Sequence, residues 1–425
     1  MNNVPSTPHT YTNPKKLKVL SLFSGCGGMD LGFEGHFTCM KESINIDIHP
    51  DWVVDESDDQ YLLKKNRFET VFADDILSFA KSAWVNYFNK YFDNANERYH
   101  LESVVDLVKQ ARNGENVFPE NIDVVTGGFP CQDFSVAGKR KGFESQKSHN
   151  GKKLSADEPS IESRGQLYIW MREVITITQP KMFIAENVKG LTNLGDVKRI
   201  IESDFSKAGG NGYIVVPAKV LFAPSYGVPQ SRERVIFFGF KKDALTDKAL
   251  SELSQPEISV EYDPYPQATH GEGLYPLVTS GIAMRGLLEP DQSEDLSQQK
   301  YSKAKYMGKH CQGQSEIKYD KVGPTIRSEH HGNIEFRRLS EEHGGQHKEE
   351  LRRGLPERRL SVRECARIQT FPDDFDFILS KTASNTAVSS SDAYKIIGNA
   401  VPPILAFNIA ANLESKWGKY FGELN

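Results

Sequence analysis

The chain has 425 residues, of which 38% are hydrophobic and 26% are charged, and its formal net charge is -5. This length allows one large domain together with a smaller one, and no apolar run approaches the roughly 18 to 20 residues that span a bilayer. The polar segment 1–16 lacks the apolar core of a signal peptide, and the five scattered cysteines form no disulfide framework. Membrane and secreted classes are therefore excluded, and we expect a protein of a reducing cytoplasm.

The basic residues are concentrated in three windows, so the negative total hides a local excess of positive charge. Residues 139–153 carry a local charge of +5, residues 300–327 another +5, and residues 352–367 a charge of +4. Segregated basic charge is typical of a surface that meets phosphate groups. A nucleic-acid partner is therefore compatible with the overall negative charge.

The first 240 residues alternate short apolar runs with amphipathic stretches, which predicts a parallel sheet with helical crossovers. The predicted strands are Lys18–Phe23, Glu42–Asp47, Ile122–Gly127, Lys181–Ala185, Tyr213–Val220 and Val235–Phe240. The strongly acidic stretch Asp51–Asp75 contains no predicted strand, and Leu77–Val117 is interpreted as one or two peripheral helices.

The composition changes in residues 241–330, which are rich in Pro, Gly, Gln and Tyr. This change predicts an inserted module of small strands and long loops. Ser361 and Glu364 have the spacing of a capping box, so a helix should begin there and end before Pro372. A final helix should contain Ile404–Leu413.

Polar residues follow four of the predicted strands, at the point where each strand ends. They are the loop Ser24-Gly25-Cys26-Gly27-Gly28, then Asp47, then Pro130-Cys131, and finally Glu186. In open parallel sheets, ligands bind beyond the carboxyl ends of the strands. We therefore expect a glycine loop, two carboxylates and a cysteine to share one edge of the sheet.

The glycine loop has more than one interpretation. Gly25 and Gly27 after a strand, with Asp47 about 20 residues further on, are similar to a dinucleotide-binding fingerprint. The third glycine of that fingerprint is replaced by Asp30, whose charge would repel a pyrophosphate at the helix start. The loop therefore favours a cofactor without phosphate, preferably a cation, whose ribose hydroxyls Asp47 could bind. By itself, the same loop could be a plain tight turn.

Cys131 is the candidate nucleophile. It follows Pro130 at a strand end, and Lys139, Arg140 and Lys141 follow within ten residues. Positive potential favours the thiolate, which is the nucleophilic form of cysteine. The alternative is an inert buried cysteine, which is the commoner case for a lone cysteine.

Glu186 ends an apolar strand, where a carboxylate is costly unless it has a partner. Arg232 and Arg234 are available, and strand alternation places them on the same face as Gln230. Together with Glu186 they would form a polar pocket able to stabilise an anion. A structural ion pair and a solvated sheet edge are the alternatives.

With these residues identified, the sequence closely resembles the DNA cytosine-5 methyltransferases. The matching segments are Phe23-Ser24-Gly25-Cys26-Gly27-Gly28, Gly128-Phe129-Pro130-Cys131-Gln132, Glu186-Asn187-Val188, Gln230-x-Arg232-x-Arg234, Arg359-Leu360-Ser361 with Arg363–Arg367, and Gly398-Asn399-Ala400-Val401-Pro402. They occur in the family's usual order, and they span about residues 18–240 and 358–410.

The resemblance implies an α/β fold. Residues 1–240 and 358–425 would form a Rossmann-like S-adenosylmethionine-dependent methyltransferase domain, with a mostly parallel sheet and helices on both faces. Residues 241–357 would form a smaller, irregular, β-containing target-recognition domain. Its stretch 300–327 places tyrosines among lysines, the composition of a surface that contacts phosphates and bases.

The resemblance also implies a reaction. The Cys131 thiolate would add to C6 of a cytosine flipped out of double-stranded DNA, while Glu186 engages N3 and Arg232, with Arg234, supports the anionic ring. C5 would then take the methyl group of S-adenosylmethionine. The expected context is the modification enzyme of a restriction-modification system, a monomer in the bacterial cytoplasm or nucleoid without an obligatory protein partner.

The same resemblance implies the binding residues. The cofactor would be held by Phe23, Ser24, Gly25, Gly27, Gly28, Asp47, Ile48, Asp75, Ile76, Pro130, Leu167, Asn399 and Ala400. DNA would be contacted by Gln132, Ser135, Lys139, Arg140, Lys141, Gln230, Lys303, Lys305 and Lys309. No metal site is predicted, because the histidines and the cysteine of the module lack the spacing of a standard zinc site.

Three rival functions remain to be compared with this one. A tRNA cytosine-5 methyltransferase of the same family would carry a second proline where this chain has Phe129. A catalytically silent binding module does not require Cys131, Glu186 and Arg232 together. An NAD-dependent oxidoreductase conflicts with Asp30 and leaves the Pro-Cys site unexplained.

Overall fold

The computed structural model describes residues 15–130, 167–193, 195–328, 333–383 and 385–422. Its strands are β1 Leu17–Leu22, β2 Thr38–Met40, β3 Val53–Glu56, β4 Gln60–Leu63, β5 Phe68–Asp74, β6 Tyr99–His100, β7 Val124–Gly127, β8 Met182–Val188, β9 Tyr213–Phe222, β10 Glu233–Lys241, β11 Phe336–Arg338 and β12 Arg358–Arg359. Its helices are α1 Gly28–Glu34, α2 Ser78–Phe88, α3 Ala95–Arg98, α4 Val104–Arg112, α5 Leu167–Thr178, α6 Val197–Ser206, α7 Asp247–Leu253, α8 Ser280–Ala283, α9 Leu296–Gln299, α10 Lys348–Arg352, α11 Val362–Ile368, α12 Ser390–Asn399 and α13 Pro403–Phe421.

The main sheet has the strand order β6-β5-β1-β7-β8-β10-β9. The five strands from β6 to β8 run parallel to their neighbours, whereas β10 is antiparallel to both β8 and β9. Because β10 runs the other way, it begins at the edge of the sheet where β8 ends. The mostly parallel α/β sheet predicted from the sequence is confirmed.

Five of the six predicted strands are present as β1, β7, β8, β9 and β10, but the predicted strand Glu42–Asp47 is wrong. Lys41–Ser43 forms a single 3-10 turn, and Thr38–Met40 before it pairs in a separate sheet of order β2-β4-β3. The place beside β1 is taken by β5, which lies in the acidic stretch without a predicted strand. Its Phe68 and Phe72 are buried. This core strand was not predicted because the charged residues around it dominate the local composition.

Helices cover both faces of the sheet. Successive side chains of a strand point to opposite sides, so one strand contributes to the core on both faces. Leu17 and Val19 of β1 pack in the apolar cluster that includes α1, α2 and α13. Leu20 and Leu22 of the same strand belong to a second cluster with α4, α5 and α6. The parallel strands are therefore buried on both faces, as parallel sheets usually are.

Both helices predicted near the carboxyl end are confirmed. In α11 the Ser361 hydroxyl accepts from the amide of Glu364 at 3.0 Å, and the Glu364 carboxylate accepts from the amide of Ser361 at 2.8 Å. The last helix, α13, begins at Pro403. The run Ser390–Phe421 is long and apolar enough to cross a bilayer, but 83% of its most apolar window is buried inside the protein. Its apolar surface is explained by the core it packs into.

The variable module, residues 241–357, packs directly on the sheet and its helices. Ile317 and Ile326 belong to the same apolar cluster as α1 and α13. The hydroxyl of Tyr265 donates to the carbonyl of Ile236 in β10 at 2.8 Å. The division of the chain at residue 240 stays a prediction, and the packing of Tyr265 against the sheet favours a later boundary.

Buried ion pairs join the variable module to the segment that follows it and correct the interpretation of two arginines in residues 352–367. Arg358 is 3% exposed and pairs with Glu289 and Glu364, each at 2.8 Å. Arg363 is 2% exposed and pairs with Asp295 at 2.6 Å. These arginines neutralise internal carboxylates, so they are not available to meet phosphate groups at the surface.

Candidate active site

A cavity of about 360 Å³ opens at the carboxyl ends of β1, β5, β7 and β8. Two further segments complete its wall: residues 398–401, at the carboxyl end of α12, and residues 325–328 of the variable module. This is the position at which open parallel sheets bind their ligands. The cavity therefore brings together most of the strand-end residues that the sequence singled out.

The loop after β1 is held in shape by the acidic end of β5. The amide of Phe23 donates to the carboxylate of Asp74 at 3.2 Å, and the amide of Gly25 donates to that of Asp75 at 3.1 Å. Phe23 and Gly25 both have positive φ, at 54° and 55°. A left-handed conformation is uncommon for a residue such as phenylalanine, so these bonds hold the chain in an unusual turn that curves around the cavity.

Two glycines of this loop are required by close packing. A Cβ at Gly28 would lie 2.3 Å from the carbonyl oxygen of Val401, so the start of α1 could not approach the segment 398–401. A Cβ at Gly27 would lie 2.5 Å from the Trp84 ring. Gly28 lines the cavity, whereas Gly27 packs behind it.

Carboxylates surround the base of the loop. Asp30 is buried and accepts hydrogen bonds from the Ser21 hydroxyl at 2.5 Å and from the Trp84 indole at 2.8 Å, and burial raises its pKa to about 6. Burial also raises the pKa of Asp74 and of Asp75, which both line the cavity. An anionic group would be repelled here, and a cation would favour the ionised form of the carboxylates.

Most of the predicted cofactor residues line this cavity. They are Phe23, Ser24, Gly25, Gly28, Asp75, Ile76, Pro130, Leu167, Asn399 and Ala400. Asp47 and Ile48 are exposed and lie on a turn, where their amides donate to the side chain of Asn45 at 3.1 and 3.3 Å. Asp47 is not at a strand end, so that expectation is wrong, whereas the cofactor roles that the resemblance implies for Asp47 and Ile48 stay predictions.

Glu186 and Arg234 form the polar pair at the rim. The Arg234 Nε lies 2.7 Å from the Glu186 carboxylate, and both side chains are nearly buried. The antiparallel course of β10 explains the pair, since β10 begins where β8 ends. Burial raises the pKa of Glu186, and the nearby charges of Arg234 and Arg232 oppose that rise. The raised pKa favours the protonated form over that of an ordinary carboxyl group, as a proton donor requires.

Asn187 connects the rim to the loop that leads to Cys131. Its side-chain amide donates to the carbonyl of Phe129 at 3.1 Å. Gly128 allows this loop to approach Glu186 closely, because a Cβ at Gly128 would lie 2.9 Å from the Glu186 carboxylate. The loop therefore reaches the cavity at Pro130, directly before Cys131.

Six of the predicted site residues lie outside the described residues. They are Cys131, Gln132, Ser135, Lys139, Arg140 and Lys141. Their roles stay predictions.

Gln230 and Arg232 are placed differently from the sequence expectation. Both side chains are fully buried, which contradicts a contact between Gln230 and DNA. The Arg232 guanidinium donates to the carbonyls of Ile326, Gly398 and Ala400 at 3.0, 2.9 and 2.8 Å. Arg234, and not Arg232, is therefore the arginine that lines the cavity.

The sequence did not identify several residues of the wall. Asp74 is adjacent to the predicted Asp75 and is the last residue of β5, a strand that the sequence did not predict. Lys395 reaches the cavity from α12, and its charge opposes the rise in the pKa of Asp75. Thr325 and Ser328 come from the variable module through contacts between residues far apart in the chain, for which the sequence carries no local signal.

Comparisons with known proteins show the family of this chain. Residues 17–415 match the family model described as C-5 cytosine-specific DNA methylase. The chain is 33% identical to the Type II methyltransferase M.BsuRI of Bacillus subtilis, over 93% of this chain and 79% of that protein. It is 29% identical to the Type II methyltransferase M.NgoPII of Neisseria gonorrhoeae, over 96% and 98% of the two chains.

Solved structures share the fold. The S. pombe Dnmt2 methyltransferase superposes with a TM-score of 0.53 at 16% identity, covering 94% of this chain and 99% of its own. The Entamoeba histolytica methyltransferase EhMeth superposes with a TM-score of 0.54 at 15% identity, covering 95% and 99%. At these identities the similarity concerns the fold alone.

Proposed function

This chain belongs to the C-5 cytosine-specific DNA methylases and is a DNA cytosine-5 methyltransferase of the restriction-modification type, and from this premise we propose how its residues carry out the reaction. We propose that the enzyme methylates a cytosine flipped out of a specific double-stranded sequence, with S-adenosylmethionine as the donor and a covalent bond between Cys131 and C6. The observation that carries the proposal is the pair formed by Glu186 and Arg234 at the rim of the cavity, next to the loop that leads to Cys131.

The cavity fits the proposed cofactor. Its lining combines the apolar side chains of Phe23, Ile76 and Leu167 with the carboxylates of Asp74 and Asp75. This combination suits a nucleoside that carries a positive charge and no phosphate, because buried carboxylates disfavour an anion. When bound, S-adenosylmethionine supplies an electrophilic methyl group on a sulfonium centre. Asp75 and Asn399 both line the cavity and would hold the cofactor.

Activation of the cytosine falls to three side chains. C5 of cytosine is a weak nucleophile, so the Cys131 thiolate adds to C6 and the electrons of the C5–C6 bond move into the ring. Glu186 carries the proton that engages N3, which its raised pKa favours. Arg234 lies against Glu186 and orients it, and its positive charge stabilises the electron-rich ring. C5 would then form the new bond to the methyl carbon while the bond from that carbon to the sulfonium sulfur breaks, and S-adenosylhomocysteine would leave.

The reaction ends by elimination. Loss of the C5 proton to a base or to water returns an electron pair to the C5–C6 bond, and the bond between C6 and the Cys131 sulfur breaks. The thiolate is then restored for the next turnover. The base inside a duplex is out of reach of this site, so the cytosine must first leave the stack, at a cost of a few kcal/mol.

An extended segment of the variable module is the proposed DNA-binding surface. Lys303, Lys305 and Lys309 are exposed at alternate positions, with Met307 between them. The segment begins beside the cavity, since the amide of Ser302 donates to the Tyr394 hydroxyl at 3.2 Å and the next residues of α12 line the wall. We expect these lysines to contact phosphates, and we expect the enzyme to act as a monomer in the bacterial cytoplasm.

The test uses purified enzyme, tritiated S-adenosylmethionine and unmethylated plasmid DNA. The label should appear at C5 of cytosine in the duplex, and Cys131→Ser should abolish the labelling while cofactor binding, measured by calorimetry, persists. Labelling of tRNA in place of DNA would refute the substrate. Full activity of Cys131→Ser would refute the covalent mechanism.

A further inference from the structure

One wall of the cavity comes from the variable module, and this wall touches the carboxyl end of α12. Residues 325–328 and residues 398–401 both line the cavity. A Cβ at Gly398 would lie 2.2 Å from the carbonyl oxygen of Arg327, so the two segments meet backbone against backbone. The DNA-facing module and the cofactor-facing segment are therefore in direct contact.

Arg232 is hydrogen-bonded to both of these segments. One terminal nitrogen, Nη1, donates to the carbonyl of Ile326 at 3.0 Å. The other, Nη2, donates to the carbonyls of Gly398 and Ala400 at 2.9 and 2.8 Å. The guanidinium is planar and its donors have a fixed fork geometry, so all three bonds can form in only one relative position of the two segments.

Gln230 adds a second link between the same segments. Its side-chain oxygen accepts from the amide of Ile326 at 3.0 Å. Its side-chain nitrogen donates to Gln369, and the Gln369 nitrogen donates in turn to the carbonyl of Ala400 at 2.5 Å. Both Gln230 and Arg232 are fully buried, where breaking a hydrogen bond is costly because water cannot replace the missing partner.

We propose that Arg232 is a positioning residue that fixes the wall 325–328 of the variable module to the segment 398–400, so that cofactor binding and DNA binding strengthen each other. The proposal rests on the proposed function, in which Asn399 and Ala400 hold the cofactor and the variable module meets DNA. A cofactor that fixes residues 398–400 also fixes the wall through Arg232. By reciprocity, DNA that fixes the wall favours cofactor binding by the same factor.

The experiment measures this coupling directly, without relying on turnover. The probe is a short fluorescent duplex that carries the site located by bisulfite sequencing of plasmid from an expressing host. Its Kd for the full chain is determined by anisotropy with and without saturating S-adenosylhomocysteine. In the wild type we expect S-adenosylhomocysteine to lower the Kd for DNA by about fivefold or more. In Arg232→Lys the ratio should fall towards one, because one ammonium group cannot span the three carbonyls.

Two further variants separate positioning from general stability. Arg363→Lys changes another buried arginine, which pairs with Asp295 away from the cavity, and it should keep the wild-type ratio. Gln369→Leu cuts only the second link, so it should lower the ratio by less than Arg232→Lys does. A wild-type ratio of one, or an unchanged ratio in both Arg232→Lys and Gln369→Leu, would overturn the proposal. Failure of the wild type to bind either ligand would instead refute the proposed function.

Discussion

Two buried pairs of arginine and glutamate in this molecule have opposite electrostatic properties. At the cavity rim, Glu186 pairs with Arg234 and burial raises the pKa of the carboxyl group. In α11, next to the variable module, Glu364 pairs with Arg358, lies 3.6 Å from Arg337 and accepts from the amide of Ser361, and its pKa is lowered to about 2. Both carboxylates are less than 10% exposed.

The difference follows from how many donors surround each carboxylate. Burial penalises the ionised form in both places, and only a sufficient number of hydrogen bonds and positive charges reverses the penalty. Glu364 has enough of them and stays ionised as part of a buried network of ion pairs. Glu186 has one direct arginine partner and opens on the cavity, so it remains able to take up a proton. The pair of Glu364 and Arg358 maintains the structure, and the pair of Glu186 and Arg234 is suited to chemistry.

The largest expected effect is that of Glu186→Gln on catalysis. The substitution keeps the shape of the side chain but removes the group that exchanges a proton with N3, so kcat should fall by a factor of about 100 to 10,000. The free energy of unfolding should hardly change at pH 7, because a raised pKa means that the folded state does not favour the ionised form. Single-turnover labelling and urea unfolding measure the two quantities. A large loss of stability with full kcat would contradict the comparison.

The matched substitution Glu364→Gln should have the opposite outcome. It removes one of the two buried carboxylates that pair with Arg358 and leaves only Glu289, so the free energy of unfolding should fall by about 3 kcal/mol, while kcat of the folded enzyme is retained. The folded-state pKa of Glu364 is depressed, so its contribution is complete above the unfolded pKa of about 4.3 and disappears as the pH falls towards 2. The wild type and the variant should therefore converge in stability over that pH range. A constant difference down to pH 2 would show that Glu364 does not titrate as stated.

The smallest effect is expected at the surface, where neither kind of buried pair is involved. Replacing Lys303, Lys305 and Lys309 by alanine should weaken DNA binding and reduce the slope of log Kobs against log salt by about 0.9 for each phosphate that a lysine no longer neutralises. The matched control replaces Lys207, Lys242 and Lys248, which are exposed at the opposite edge of the sheet. Equal slopes in the two triple variants would place the DNA elsewhere.

Local patterns in the sequence predicted much of the fold and the site. Apolar runs located β1, β7, β8, β9 and β10, and the spacing of Ser361 and Glu364 located a helix start. The polar residues after those runs identified part of the cavity lining, namely Ser24, Gly25, Gly28 and Glu186. Prediction failed where burial contradicted local composition: β5 lies in an acidic stretch, and Asp47 lies on an exposed turn.

The sequence alone therefore determined the class of protein and the residue types that make its site, because strand ends and short motifs are local properties of the chain. Only the tertiary structure decided which of the two arginines, Arg232 or Arg234, lines the cavity and which one is buried in the interior. Arg232 and Arg234 have the same spacing argument in the sequence, yet one bonds three backbone carbonyls in the interior and the other reaches Glu186 at the rim. The physical reason is that the partners of a charged side chain, and hence its pKa and its role, are set by contacts between segments far apart in the chain.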